Sequence, residues 1–373
     1  MTAHKKTVLF ITGTRAEWGL IESTILRLKK SRAFHTQVLV TGMHTQRRFG
    51  YTIEHVRKAV HVDHVVSVGE HDDPLTALAK EIDGIGEYLR MHLVDAVLVV
   101  ADRDEAFAGA VAAMHRGIPV IHVSGGDTTG PTVDEYLRKS ITLFSSVHLV
   151  QTAQSKSNVL SLGADRRWAN VVGSAGLDGL HPRILPKRKD LAARYRLDPK
   201  KRWHLVVMHP SALEDTPITR QIDAVLGALK KIDPQDEKII LYPNSDAGSE
   251  AFIHAIERFQ RKPHYHLHRH IERKDYLGLM LQSAALVGNT SSGLVEAGYL
   301  RVPFVNVGAR QDGREHGPNV IFTNYDAVAI ANAVRRASSS AFHRALGRRS
   351  SPYKGGAVAE RITKTIEQFL RTL

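Results

Sequence analysis

Cysteine is absent from all 373 residues, which rules out disulfides, a thiolate nucleophile and any thiolate-ligated zinc or iron–sulfur site. Carboxylates, histidines and hydroxyls are left to carry any chemistry. Also missing is an apolar run near the ~18 residues of a membrane span. The opening Met1-Thr2-Ala3-His4-Lys5-Lys6 leads straight into a strand pattern, not into a signal-peptide core. A cytoplasmic protein with no membrane partner is the expectation. Acid does not dominate either: the formal charge is +13. Lys and Arg are interleaved with acids and accompany no nucleic-acid-binding motif, so no nucleic acid is expected as a partner. A solvated basic surface of this kind steers anionic small molecules inward.

What is present is alternation. The length exceeds what one core usually serves, so two domains are expected. In the first half, β-branched runs at Thr7–Thr12, Gln37–Thr41, His64–Val68, Asp95–Val100, Pro119–Val123, Val147–Gln151 and Ala169–Val172 read as strands. Amphipathic stretches at Trp18–Lys30, Arg47–Lys58, Pro74–His92, Glu105–Arg116, Val133–Ser146 and Ala153–Gly163 read as the helices between them. Such βαβ repetition specifies a parallel sheet buried on both faces. Composition shifts to a Pro- and Lys/Arg-rich linker near Leu180–Lys201. Strands then resume at Trp203–Met208, Lys238–Leu241, His264–Leu267, Ala284–Val287 and Pro303–Val307, and the chain ends in an amphipathic helix over Ala357–Leu373. The fold class is α/β, with domains at 1–180 and 181–352 and a terminal helix at 353–373.

Open parallel sheets bind ligands beyond the carboxyl ends of their strands. After the first strand, Thr12-Gly13-Thr14-Arg15-Ala16-Glu17 offers a glycine turn, a helix start and a guanidinium suited to phosphate, although Arg15 could instead pair with Glu17. Ala101-Asp102-Arg103-Asp104-Glu105 begins another helix. Asp102 there is either a cap, with Asp104 and Glu105 complementing the dipole, or a general acid or base at the sheet edge. Ser124-Gly125-Gly126-Asp127 follows a third strand, and Asp134 and Arg138 share a helix face as a simple ion pair or as part of a site. Three carboxylates, Asp102, Asp127 and Asp134, thus converge on one sheet edge.

In the second half His209 follows a strand. Gly288-Asn289-Thr290-Ser291-Ser292-Gly293-Leu294-Val295-Glu296 delivers hydroxyls onto a helix N-terminus, an anion site that needs no lysine. Glu296, one turn into that helix, suits a ribose diol. Arg310 and Arg314 follow the next strand and suit a diphosphate. The His264, His266, His268, His270 alternation lacks the carboxylate spacing to complete a metal site and reads as a surface strand.

These segments, in this order, resemble the UDP-N-acetylglucosamine 2-epimerase family, above all its hydrolysing branch serving sialic and related nonulosonic acid precursors, from about Thr7 to Val320. The resemblance implies a GT-B-like fold: two Rossmann-like domains with parallel sheets facing across an interdomain cleft, and a C-terminal helix crossing back to the first domain. It implies that Arg15, Thr290, Ser291 and Arg310 hold the diphosphate, with Glu296 on the ribose and backbone near Ile271 on the uracil, and that Arg103 and Ser292 also bind the UDP-sugar. Asp102, Asp127, Asp134, Arg138 and His209 would surround the hexosamine as the catalytic set. The partner implied is a UDP-activated N-acetylhexosamine, the assembly a homodimer or homotetramer, and neither cofactor nor metal is expected.

The chain departs from the family pattern in places. Ala101 stands where Gly is common, the aromatic after Arg103 is absent, Lys139 replaces a histidine, and Ser211-Ala212 replace Val-Thr after His209-Pro210. An altered hexosamine is compatible with these changes. Ala16 after Arg15, where the non-hydrolysing branch has proline, favours hydrolysis. A non-hydrolysing epimerase, a GT-B glycosyltransferase and an inactive nucleotide-sugar sensor remain the competing readings.

Overall fold

The computed structural model describes residues 5–130, 132–243, 247–347 and 350–373. Its contacts divide the chain into two units, one of Met1–Asp127, Val133–Gly179 and Lys354–Leu373, the other of Thr128–Thr132 and Leu180–Tyr353. Among the described residues no helix is long and apolar enough to cross a membrane.

In the first unit, β1 (Lys6–Thr12), β2 (Phe34–Val40), β3 (His64–Val65), β4 (Ala96–Val100), β5 (Val120–Val123), β6 (Val147–Val150) and β7 (Ala169–Val171) form one sheet in the order β3-β2-β1-β4-β5-β6-β7. All its pairings are parallel. Helices α1 (Arg15–Lys29), α2 (Ile53–Ala59), α3 (Pro74–Met91), α4 (Asp104–Met114), α5 (Val133–Phe144) and α6 (Ala153–Ser161) connect the strands. The alternation of β4 explains why its run is continuously apolar: Ala96, Leu98 and Val100 join the core on the α1 side, while Val97 and Val99 join the core on the α3 and α4 side.

The second unit repeats the scheme with β8 (Trp203–Val207), β9 (Glu237–Leu241), β10 (Tyr265–His268), β11 (Ala285–Gly288), β12 (Phe304–Val307) and β13 (Val320–Thr323), ordered β10-β9-β8-β11-β12-β13 and parallel throughout. Its helices are α7 (Arg188–Tyr195), α8 (Ile218–Leu229), α9 (Ser249–Glu257), α10 (Arg273–Gln282), α11 (Glu296–Leu300), α12 (Ala327–Ala337) and α13 (Ser340–Leu346). The segment Thr128–Thr132 belongs here because Gly130 N donates to Arg310 O at 3.2 Å and Thr128 Oγ1 to Gly313 O at 2.5 Å.

Three local expectations need correction. The helix expected over Arg47–Lys58 is broken: a 3₁₀ turn at Arg47–Phe49 ends on Gly50 at φ +91°, and α2 starts only at Ile53. The strand expected over His64–Val68 pairs only at His64–Val65. Strand β13 is an addition to the expected set: the β-branched and aromatic run Val320-Ile321-Phe322-Thr323, bounded by Pro318-Asn319 and Asn324, pairs with β12.

The last helix, α14 (Val358–Leu370), places Val358, Ile362, Ile366, Phe369 and Leu370 in the same core as Ile21, Ile25 and Leu28 of α1. Asp178 replaces the missing cap, its Oδ1 accepting from Val358 N at 2.8 Å. Replacing Ile362, fully buried in that core, by Ala is expected to cost about 2–5 kcal/mol. Denaturant unfolding of the variant checks this; a midpoint like that of the parent would mean that α14 adds little to the first unit.

Candidate active site

Each sheet reverses its winding once, between β1 and β4 in the first unit and between β8 and β11 in the second. Ligand crevices form at such points because the connections diverge to opposite faces. The expected motifs stand there: Gly13–Arg15 after β1, Ala101–Glu105 after β4, His209 after β8, and Asn289–Ser292 after β11.

In the first unit, Arg138 of α5 is only 2% exposed and gathers its neighbours. Its Nε donates to Asp102 Oδ2 at 3.1 Å, and its Nη2 reaches the same oxygen. Nη1 donates to the Asp127 carbonyl at 3.1 Å and to Glu135 Oε2 at 2.8 Å. Asp102 is therefore not the cap of α4, a position taken by Arg103. The Asp127 carboxylate is held by two neutral donors, Ser155 Oγ at 2.7 Å and Gln151 Nε2 at 3.2 Å. Asp134 lies in the first turn of α5, on the helix that carries Arg138.

Backbone shape supports this cluster. Ala101 and Ser124, the residues that follow β4 and β5, both adopt left-handed conformations, at φ +60° and +63°. His122 braces the first of them: burial pushes its imidazole down to about 4, so it is neutral, donating from Nε2 to Ala101 O at 2.7 Å while Nδ1 faces Thr142 Oγ1 at 3.3 Å. Ala101 is thus held where a side chain is disfavoured, and Asp102 is turned toward Arg138 as a result.

On the β1 side, α1 begins at Arg15, three residues before the expected Trp18, because Thr14 caps it by accepting from Glu17 N at 3.2 Å. Glu17 is buried, and Arg15 stands in the first turn. Arg103 lies 3.5 Å from Glu105 and 3.9 Å from Met43 Sδ.

The second unit relies on neutral donors. Asn289 clamps His209 by accepting from its N at 2.8 Å and donating to its O at 2.8 Å. Gly288 is obligatory between them: at φ +137° a Cβ would lie 1.9 Å from Val207 O. The Asn289 carbonyl accepts from Gln311 Nε2 at 2.9 Å and Arg310 Nη1 at 3.5 Å, which ties Arg310 to the loop after β11. Thr290 caps a 3₁₀ turn at Ser291–Gly293, and α11 starts only at Glu296. Ser291 therefore opens a 3₁₀ turn, and Glu296 is the first residue of the α-helix instead of lying one turn inside it. Ser292 Oγ contacts Thr290 Oγ1 at 3.1 Å and the Tyr276 hydroxyl, while Glu296 pairs with Arg273 at 3.3 Å. Ile271 is buried just ahead of α10.

The histidine alternation lies on β10, the sheet edge, where Glu237 meets His266 at 2.7 Å and His264 at 3.4 Å. No group of three or more His, Asp or Glu able to hold a metal occurs among the described residues.

Chemically, the first unit offers carboxylates arranged around a buried cation, suited to moving protons and countering developing positive charge. The second offers amide, hydroxyl and guanidinium donors suited to phosphate. Glu135, Gln151, Ser155, Tyr276, Arg273 and Gln311 escaped sequence reading; Glu135 alone carried a local signal, three residues before Arg138 on a helix. Replacing Ala101 by Gly relieves the left-handed strain at some cost in unfolded-chain entropy, for an expected net gain of about 0.5–1 kcal/mol. Chemical denaturation tests this, and a destabilised A101G would show that the turn is not strained.

A family model describing UDP-N-acetylglucosamine 2-epimerase matches residues 26–367. The chain is 30% identical over 374 residues to "Polysialic acid biosynthesis protein P7" of Escherichia coli, covering 98% of this chain and 95% of that protein. It is 32% identical over 337 residues to the "UDP-N,N'-diacetylbacillosamine 2-epimerase (hydrolyzing)" of Legionella pneumophila, covering 88% of each. Its fold is similar to the crystal structure of the Neisseria meningitidis UDP-GlcNAc 2-epimerase bound to UDP-GlcNAc, with a TM-score of 0.83 at 20% identity over 97% of this chain and 100% of that one. With two Rossmann-like α/β units, strand-end motifs at both switch points and these likenesses along nearly its whole length, the chain belongs to the UDP-N-acetylglucosamine 2-epimerase family.

Proposed function

We propose that this protein is a hydrolysing UDP-sugar 2-epimerase that converts UDP-N-acetylglucosamine, or a closely related acetamido sugar, to UDP and the free 2-epimer. The observation that carries the reading is the buried Arg138 with the Asp102 and Glu135 carboxylates and the Asp127 backbone carbonyl around it, and the Asp127 carboxylate held beside them by Ser155 and Gln151. A simple glycosyl transfer needs no such gathering of acids on the sugar side. The hydrolysing relative from Legionella, matched over most of its length, supports the same branch.

In this reading Arg15, Arg103, Thr290, Ser291, Ser292 and Arg310 hold the diphosphate, Glu296 the ribose, and backbone near Ile271 the uracil. Asp102, Asp127, Asp134, Arg138 and His209 act on the hexosamine. The C2 proton of the intact sugar is scarcely acidic, so C1–O cleavage runs ahead of its removal through an oxocarbenium-like state. The donors steady the departing UDP, the carboxylates offset positive charge at C1, and one carboxylate accepts the C2 proton to give a 2-acetamidoglucal. Water then adds its hydroxyl to C1, and a proton returns to the opposite face of C2. The sum is UDP-sugar plus water giving UDP and the inverted free sugar, with no metal or cofactor in any step.

A second reading, reversible epimerisation without UDP release, is supported by relatives named simply as UDP-N-acetylglucosamine 2-epimerases, such as that of Neisseria meningitidis serogroup B at 30% identity over 337 residues. Incubation with UDP-N-acetylglucosamine, and separately with UDP-N,N'-diacetylbacillosamine, in deuterated water followed by NMR separates the two. The expected products are UDP and a free 2-epimer deuterated at C2. A UDP-linked epimer would establish the second reading, and no turnover of either donor would contradict both.

A further inference from the structure

Glu105 does not serve as the surface complement to a helix dipole that its place in α4 suggests. It is 4% exposed and turned inward. Its side chain fills a notch left by two glycines: a Cβ on Gly13 would lie 2.2 Å from Glu105 Cγ, and one on Gly42 would lie 2.5 Å from Oε1. Oε2 stands 3.5 Å from Arg103 Nε, an ion-pair distance. Two further carboxyls share the interior, Glu17 of α1 and Glu81 of α3, the latter accepting from Thr41 Oγ1 at 3.3 Å. Three acids thus meet behind the turn that follows β1.

Two of the three hold their protons. Burial, then the nearby Glu105, push Glu17 up to about 8 and Glu81 up to about 9, so both are protonated at neutral pH. Glu105 is the member of the trio that faces Arg103. Asp104 and Arg103 also act on Glu81, and Arg103 acts on Glu17. His44, whose imidazole burial pushes down to about 4, stands 3.3 Å from Thr12 Oγ1, the hydroxyl that also bonds Glu17. The Glu105 carboxyl thus lies between the Gly13 backbone and the Arg103 guanidinium.

We propose that Glu105 is a positioning residue for the anion-binding turn of the first unit: wedged between Gly13 and Gly42 and paired with Arg103, it sets the Gly13–Arg15 backbone and the Arg103 side chain for the diphosphate. This rests on the reading of Arg15 and Arg103 as diphosphate ligands. Ionisation of Glu17 places a negative charge behind the same turn and adds repulsion toward phosphate. UDP affinity accordingly falls at alkaline pH.

Calorimetric titration of UDP into the wild-type protein, Glu105→Gln and Glu17→Gln, from about pH 6.5 to about pH 9, tests this, with circular dichroism confirming the fold of each. Deprotonation of the uracil ring is common to all three and cancels in the comparison. Glu105→Gln is expected to bind UDP ~10-fold more weakly near pH 7, as for loss of one contact to a charged group, and its alkaline loss should move to lower pH because burial alone, without the added push from Glu105, then keeps Glu17 protonated. Glu17→Gln should lack the alkaline loss. Wild-type binding that Glu105→Gln leaves unchanged, or an alkaline loss that neither variant moves, would overturn the inference alone. Failure of the wild-type protein to bind UDP at any pH would overturn the functional reading as well.

Discussion

The geometry of the first unit's acidic cluster depends on one buried guanidinium. Arg138 sits at 2% exposure with Asp102, Glu135 and the Asp127 carbonyl meeting it there; a cation in that position without partners would be strongly unfavourable. The requirement also acts in reverse. Asp102 follows β4 and Asp127 lies beyond β5, which are neighbours in the sheet, and Arg138 on α5 draws both segments into one geometry. The left-handed Ala101 and its brace from neutral His122 are the backbone cost of that convergence. Removal of one partner would leave the others buried without compensation, at roughly 3–5 kcal/mol.

The second unit solves a different problem by different means. The polar groups on the loops after β8, β11 and β12 are fixed by one another: Asn289 to His209, Gln311 and Arg310 to Asn289, Ser292 to Thr290 and Tyr276. No net charge need be buried to hold this set. The first unit gathers ionisable groups around a cation, whereas the second fixes amide and hydroxyl groups on one another.

Much of this was legible in the sequence because parallel sheets place function at strand ends. Continuous apolar strands announced themselves, and the residues just beyond them, Asp102, Asp127, His209 and Asn289, could be read from position alone. Three kinds of feature could not. Strand β13 is only four residues long, and its place at the sheet edge comes from its pairing with β12, a nonlocal cause. The 3₁₀ turn at Ser291–Gly293 has a helix-start sequence but stays tight before α11 begins. The partners Ser155, Gln151, Tyr276 and Gln311 look like ordinary polar residues until the fold brings them to Asp127, Ser292 and Asn289. Glu105 was the subtlest case, since its position in a helix first turn fits a surface role, and only the absence of a Cβ at both Gly13 and Gly42 reveals the space it occupies.

The central claim is that Arg138 organises the sugar-side acids without taking part in holding UDP, and Arg138→Lys addresses it most directly. Lysine keeps the charge but offers one point of attachment where the guanidinium offers a fork. With the fold verified, the account predicts turnover reduced by ~100-fold or more and UDP affinity within about threefold of wild type, because an interaction needed only for the chemical step has been lost. Turnover close to wild type, or a matching collapse of UDP binding, would contradict it.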